Sequence, residues 1–248
     1  DVFLCEYTAK VQRAVLIRDY VIDHLDEAFS KGYIQVYYQP VIRSISKTLC
    51  GLEALARWID PVYGFLKPSE FIPALENSRQ LYQLDLYILE EVCKRLRACL
   101  DDGIPVVPIS INLSRMDFLT CDIFTEVERR TEKYRIPHHL LCIEITESMF
   151  VQNAREIRII LDHFREVGYQ VWMDDFGSGY SSLNALKDYH FDELKIDMDF
   201  LSNFTQRSKD IIQSTIHMSK KIGIRTLAEG VETEEQFRFL RDIGCEKI

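Results

Sequence analysis

The chain has 248 residues, 47% of them hydrophobic, with ten glycines and a formal charge of −9, a make-up that suits one globular domain and excludes disordered and fibrous classes. The acidic balance argues against a protein that grips a DNA or RNA polymer by counterion release, but it is compatible with an anionic substrate held through divalent cations. Seven scattered cysteines with no C-x-x-C pair read as reduced thiols and a cytoplasmic setting, and without a long apolar run this segment is expected to make no membrane contact, even if a parent protein is membrane-anchored.

Residues 10–31 carry apolar positions at helical intervals and stop at Gly32, which predicts one helix leading into the domain. Residues 1–31 are read as a linker helix, the tail of an upstream domain, and 32–248 as the main domain. Tyr33 to Ile42 is rich in aromatic and β-branched residues and reads as a strand; LCGLEALARW, starting at Leu49, reads as another. The six residues between them cannot hold a crossover helix, so these two strands should be antiparallel. A turn at Pro61 to Gly64, a short helix begun near Pro68 and an amphipathic helix over 80–100 follow. From Val106 onward strands and helices alternate, with helices at 120–134, 151–167, 180–187, 206–221 and 233–242. Such alternation implies a parallel sheet with helices outside it. Seven strands are predicted, and the sequence stops at Gly244 to Ile248, where an eighth would begin, so the last strand is expected to be truncated.

Polar groups mark the strand ends. Glu53, Asn112, Glu144, Asp174, Lys195 and Glu229 follow one another at intervals of 59, 32, 30, 21 and 34 residues. A strand, loop and helix consume about 30 residues, so this spacing gives one polar group per βα unit, with one unit skipped after Glu53. In a (β/α)8 barrel those ends converge on one mouth. Strand alternation puts Glu53 with Arg57, Glu144 with Thr146, Lys195 with Asp197 and Arg225 with Glu229 on common faces. Taken singly, a carboxylate such as Asp175 or Glu147 is equally well explained as a helix cap or a solvent residue. Repetition at six strand ends favours a shared site, and oxygen ligands without His or Cys favour Mg²⁺ or Mn²⁺ over zinc. The six histidines fall on predicted helices or loops and read as structural.

These residues carry a specific resemblance. YQP at 38–40, LEAL at 52–55, PSEFIP at 68–73, NLS at 112–114, EITE at 144–147, DDFGSGYSSL at 174–183, LKID at 194–197 and AEGVE at 228–232 match, in order, the pattern of EAL-domain cyclic di-GMP phosphodiesterases. The resemblance implies a modified TIM-like (β/α)8 barrel with an antiparallel first strand. It implies hydrolysis of one phosphodiester bond of cyclic di-GMP to linear 5′-pGpG with two Mg²⁺ or Mn²⁺ ions. By motif, Glu53, Asn112, Glu144 and Asp174 would hold the first ion. Asp174 would bridge to a second, held also by Asp175, with Glu229 nearby. Lys195 would contact the attacking water, Arg57 a substrate phosphate, and Gln39 would lie near the ligand. Glu147 would steady the loop Gly177-Ser178-Gly179-Tyr180, which couples the second ion to homodimer formation, and upstream sensory or cyclase-like domains are common in the family. Two departures stand out: the family's closing Gln-Gly-Tyr segment is absent, and Met198 replaces a more usual basic residue, with little expected effect on metals. The runner-up expectation is a catalytically silent cyclic di-GMP receptor. A generic metal-dependent barrel acting on another phosphoester does not account for the DDFGSGYSS and EITES matches together.

Overall fold

The computed structural model describes residues 9–147, 149, 154–177 and 182–248. The helix predicted before Gly32 divides at His24 into α1 (Ala9–Asp23) and α2 (Leu25–Ser30). The break has a local cause: the His24 ring stacks on Tyr20 at 4.0 Å and its Nδ1 bonds the Tyr20 carbonyl at 2.9 Å, while its own backbone leaves helical geometry at φ −113°. Ile17, Val21, Leu25 and Ala28, spaced by helical turns, are buried in the same core as the barrel's outer face.

The strands β1 (Ile34–Ile42) and β2 (Leu49–Asp60) form the expected antiparallel pair, with Gln39 opposite Glu53. A three-residue strand not predicted from the sequence, β3 (Gly64–Leu66), folds back on the end of β2; it is too short to show a period. Then come α3 (Pro68–Asn77), begun by Pro68 in the first turn, and α4 (Leu81–Asp101). In α4 Leu81, Leu84, Ile88, Leu89, Val92, Cys93 and Leu96 are buried, a stripe at helical spacing. Each such side chain stabilises by about 1.5–3 kcal/mol relative to exposure.

Beyond α4 the order is β4 (Ile109–Leu113), α5 (Arg115–Thr120), α6 (Ile123–Tyr134), β5 (Leu141–Thr146), α7 (Ala154–Val167), β6 (Gln170–Phe176), α8 (Ser182–Asp188), β7 (Glu193–Ile196), α9 (Asp199–Ser202), α10 (Gln206–Lys221), β8 (Arg225–Ala228) and α11 (Glu234–Asp242). The helix predicted over 120–134 starts at Ile123 because Asp122 caps it, accepting the Thr125 N–H at 3.2 Å. The short α5 before it, missed in the sequence, begins in a capping box of Ser114 and Asp117.

Around the sheet the order is β1-β2-β4-β5-β6-β7-β8, parallel from β2 onward. Lys247 bridges Leu227 on one side and Arg43 on the other, and Ile42 and Ile248 exchange backbone bonds at 2.8 and 2.9 Å. The last residues therefore lie between β8 and β1, where the eighth strand was expected to begin, and the architecture is the TIM-like α/β barrel with an antiparallel first strand. A large core separates sheet from helices, while Val41, Cys142, Trp172 and Leu227 make a small one inside the barrel. Among the described residues no helix is long and apolar enough to cross a membrane.

Candidate active site

The ladder registers decide which side chains share the interior. Gln39 pairs with Glu53, Glu53 with Ser110, Asn112 with Glu144, Glu144 with Trp172 and Trp172 with Glu193. Paired residues on neighbouring strands point to the same face, so these all turn inward. Two residues further along their strands, Asp174 and Lys195 do so as well.

At the C-terminal ends of the strands the chain gathers one lysine and several carboxylates. The Lys195 ammonium lies 2.7 Å from Glu144 Oε2, 2.7 Å from Glu229 Oε1, 3.0 Å from Asp174 Oδ1 and 3.3 Å from Glu53 Oε2. Asn112 Nδ2 donates to Glu53 Oε1 at 3.2 Å. Glu229 follows β8 directly, and its backbone N–H donates to the Ile196 carbonyl at 3.2 Å, which ties it to the end of β7. Lys195 is 2% exposed and Glu144 fully buried, whereas the Glu229 side chain is 28% exposed at the rim.

Consecutive aspartates should point to opposite faces of a strand, yet Asp174 and Asp175 serve one place. The reason is in the backbone. Asp175 adopts φ +54°, uncommon for a residue with a side chain, and the β6–β7 register slips between Met173 and Phe176. The left-handed residue re-aims its carboxylate, so ligand oxygens of Asp174, Asp175 and Glu229 all lie within 4.8 Å of one another. Strain held at such a point is typical of functional sites.

The crowding shows in the titration of these groups. Burial pushes the Glu144 carboxyl up to about 8, with Lys195 pulling it down and Glu53 and Asp174 pushing further up. Burial raises Glu229 to about 7, opposed by Lys195, and Asp175 to about 6, reinforced by Asp174 and then Asp197. For Lys195 burial would lower the value, but Glu144, Asp174, Glu53 and Glu229 outweigh it and hold the ammonium charged, well above its usual range.

One ammonium cannot neutralise five carboxylates. Glu144 Oε1 is buried with no hydrogen-bond partner, and Asp174 Oδ1 makes none either despite lying 3.0 Å from the ammonium. A surplus of buried, unsatisfied hard oxygen donors fits Mg²⁺ or Mn²⁺.

The remaining expected residues lie around this centre. Arg57 shares the face of Glu53, its guanidinium 5.7 Å from the Tyr37 ring; its Nη1 donates to the Ala56 carbonyl at 2.9 Å, and among the described residues it has no carboxylate partner. Gln39 is exposed opposite Glu53. Glu147 is buried and its Oε2 accepts the Gly177 N–H at 3.4 Å. Ser178, Gly179 and Tyr180 of the expected loop lie outside the described residues. At Gly177, φ +99°, a β-carbon would meet the Phe200 ring at 2.3 Å, so glycine is required there. Two neighbours were not singled out in the sequence: Tyr37, half-exposed beside Arg57, and Asp197, which raises Asp175. The alternation YIQVYYQ carries the signal for Tyr37, and the shared face of Lys195 and Asp197 that for Asp197.

Comparison with known proteins adds relatives. The family model described as EAL domain matches residues 22–248. The chain is 34% identical over 226 residues to the oxygen sensor protein DosP of Escherichia coli K12, covering 90% of this chain and 28% of DosP. It is 32% identical over 231 residues to the bifunctional diguanylate cyclase/cyclic di-GMP phosphodiesterase MucR of Pseudomonas aeruginosa, covering 92% of this chain and 34% of MucR. The chain thus spans about a third of the length of these curated relatives. Among solved structures, the PaMucR phosphodiesterase in complex with c-di-GMP superposes with a TM-score of 0.86 at 30% identity, covering 92% of this chain and 93% of that one. The FimX EAL domain from Pseudomonas aeruginosa bound to c-di-GMP gives a TM-score of 0.83 at 19% identity, covering 92% of each chain, a likeness of fold alone.

Proposed function

The chain belongs to the EAL domain family, and from that premise we propose that it hydrolyses one phosphodiester bond of cyclic di-GMP to linear 5′-pGpG, using two divalent cations, as the hydrolase portion of a longer signalling protein. The observation that carries this reading is the charged Lys195 set among four carboxylates, with Asp175 beside them and a buried Glu144 oxygen left unsatisfied. The relatives named for cyclic di-GMP phosphodiesterase activity support it.

Glu53, Asn112, Glu144 and Asp174 would hold one ion, and Asp174, Asp175 and Glu229 the other. When bound, the pair would supply Lewis-acid polarisation of the phosphoryl group and a lowered pKa for the attacking water. The chain's own groups do the rest. Lys195, kept as an ammonium, donates to the water oxygen and fixes its position, and its charge offsets that building on the phosphoryl oxygens. It does not serve as a base. Glu229, at the rim and 2.7 Å from the Lys195 ammonium that holds the water, is placed to accept the proton that the water loses. Arg57, which has no carboxylate partner among the described residues, clamps a non-bridging phosphate oxygen. Water adds to phosphorus as the bond to O3′ breaks, and the proton taken by Glu229 passes through solvent to the departing O3′, leaving a 5′-phosphate and a 3′-hydroxyl on one linear dinucleotide.

The test is incubation of the purified chain with cyclic di-GMP and Mn²⁺ or Mg²⁺, against an EDTA control, with products resolved by chromatography. Metal-dependent 5′-pGpG is the expected result. Binding of intact cyclic di-GMP without product would replace the hydrolase with a receptor.

A further inference from the structure

A second buried lysine lies inside the same barrel, at the opposite end. Lys247 Nζ is 2.5 Å from Glu193 Oε2 and 4.5 Å from the centre of the Trp172 ring. Glu193, Gln170 and Arg225 are the first residues of β7, β6 and β8, so this group marks the end of the barrel away from the mouth. Trp172 Nε1 donates to Gln170 Oε1 at 3.2 Å, and Arg225 Nη2 donates to the same oxygen at 2.9 Å. The indole is therefore fixed twice, through its N–H and through the cation on its face. It is 2% exposed, packs with Val41, Cys142 and Leu227, and stands between Glu144 and Glu193 in the ladders.

We propose that Trp172, clamped by Lys247 and Gln170, is a positioning residue: the floor on which Glu144, Asp174 and Lys195 are held at the height their cation site requires. Asp174 stands two residues beyond Trp172 on the same face, and Lys195 two beyond Glu193. A rigid indole paired with Glu193 in the β6–β7 ladder sets the ends of those two strands against each other. A buried ion pair gains little stability over apolar side chains of similar volume, and Glu193 Oε1 has no hydrogen-bond partner. The pair is better explained by what it holds in place. The proposal rests on the metal-holding reading of the mouth.

The test is Mn²⁺ titration of the 248-residue chain by calorimetry, with the tryptophan emission followed in parallel and the Trp172 share taken as the difference from Trp172→Phe. Mn²⁺ is expected to quench the Trp172 emission in the parent. Lys247→Met should weaken Mn²⁺ binding about 10-fold, the scale of lost outer support for metal ligands. Because that variant leaves Glu193 only the longer Arg225 contact at 3.8 Å and could unfold, Glu193→Gln/Lys247→Met is measured beside it. The double variant should melt with the parent yet still bind Mn²⁺ about 10-fold more weakly. Parental affinity and unchanged quenching in the folded double variant would make the pair purely structural and overturn the proposal. So would a parent chain that binds no Mn²⁺. Mn²⁺ binding that depends on Lys247 without any turnover of cyclic di-GMP would remove the hydrolase and leave the floor standing.

Discussion

The barrel buries two lysines, and they stand in opposite electrostatic situations. Lys247 meets one carboxylate, Glu193, and an aromatic face, a balanced arrangement inside a small apolar core. Lys195 meets four carboxylates, with Asp175 close by, and a net negative charge remains. Burial of a balanced pair can be understood from the folded chain alone. Burial of an unbalanced cluster cannot, since like charges brought together in low dielectric oppose folding. The difference locates where the molecule expects something from outside: at the mouth, and not at the floor.

Four measurements bear on that contrast. The largest effect is expected at the mouth. Glu53→Ala should lower turnover by about 10³-fold or more while the fold survives, because it removes a partly exposed oxygen donor to the reacting centre and no core contact; circular dichroism with a product assay checks both halves. Next comes the floor. Lys247→Met should cost about 3 kcal/mol in chemical denaturation by leaving buried Glu193 only the longer, half-exposed Arg225 contact at 3.8 Å, whereas Glu193→Gln/Lys247→Met should lie within about 1 kcal/mol of the parent. Equal losses in the two variants would mean that the pair is not balanced after all. Arg57→Ala is smaller, expected to raise KM about 10-fold with kcat nearly unchanged, as for a group that binds substrate and transition state alike.

The remaining test is in pH. A carboxyl raised in the folded state holds more protons folded than unfolded, so it withdraws stability as pH climbs from its ordinary value to its folded one. For Glu144 that window runs from 4.5 to about 8 and for Glu229 from 4.5 to about 7. Lys195, raised above 10.5, contributes without change throughout it. The melting temperature of the metal-free chain should therefore fall by about 2–4 °C for each kcal/mol withdrawn between about pH 6 and pH 8. Glu144→Gln should flatten the slope. A slope unchanged in that variant would place the proton uptake elsewhere.

Much of the mouth was legible from residue order. Glu53, Asn112, Glu144, Asp174, Lys195 and Glu229 sit at the ends of apolar runs, and strand alternation gave most of their faces. Asp175 was legible only as a motif position, because its use beside Asp174 depends on a left-handed backbone and a slipped register that alternation forbids. The floor was half legible: alternation through YQVWMDD already puts Gln170, Trp172 and Asp174 on one face. Its other half, Lys247 against Glu193, joins residues 54 positions apart and exists only once the barrel closes. The break at His24 was hidden because a ring stacked on the preceding turn interrupts the helix without disturbing its apolar spacing.

The antiparallel β1–β2 pair has a consequence in time. Its strands are joined by a short connection, so it can form within microseconds as a local nucleus. The charges of the mouth come from residues as far apart as Glu53 and Glu229, and the ring closes through Lys247. Such distant contacts form late. If the carboxylates come together only after the folding barrier, their repulsion acts on the finished barrel. A cation that relieves it should slow unfolding far more than it speeds folding, so the bound ion would act chiefly as a brake on the loss of the native state.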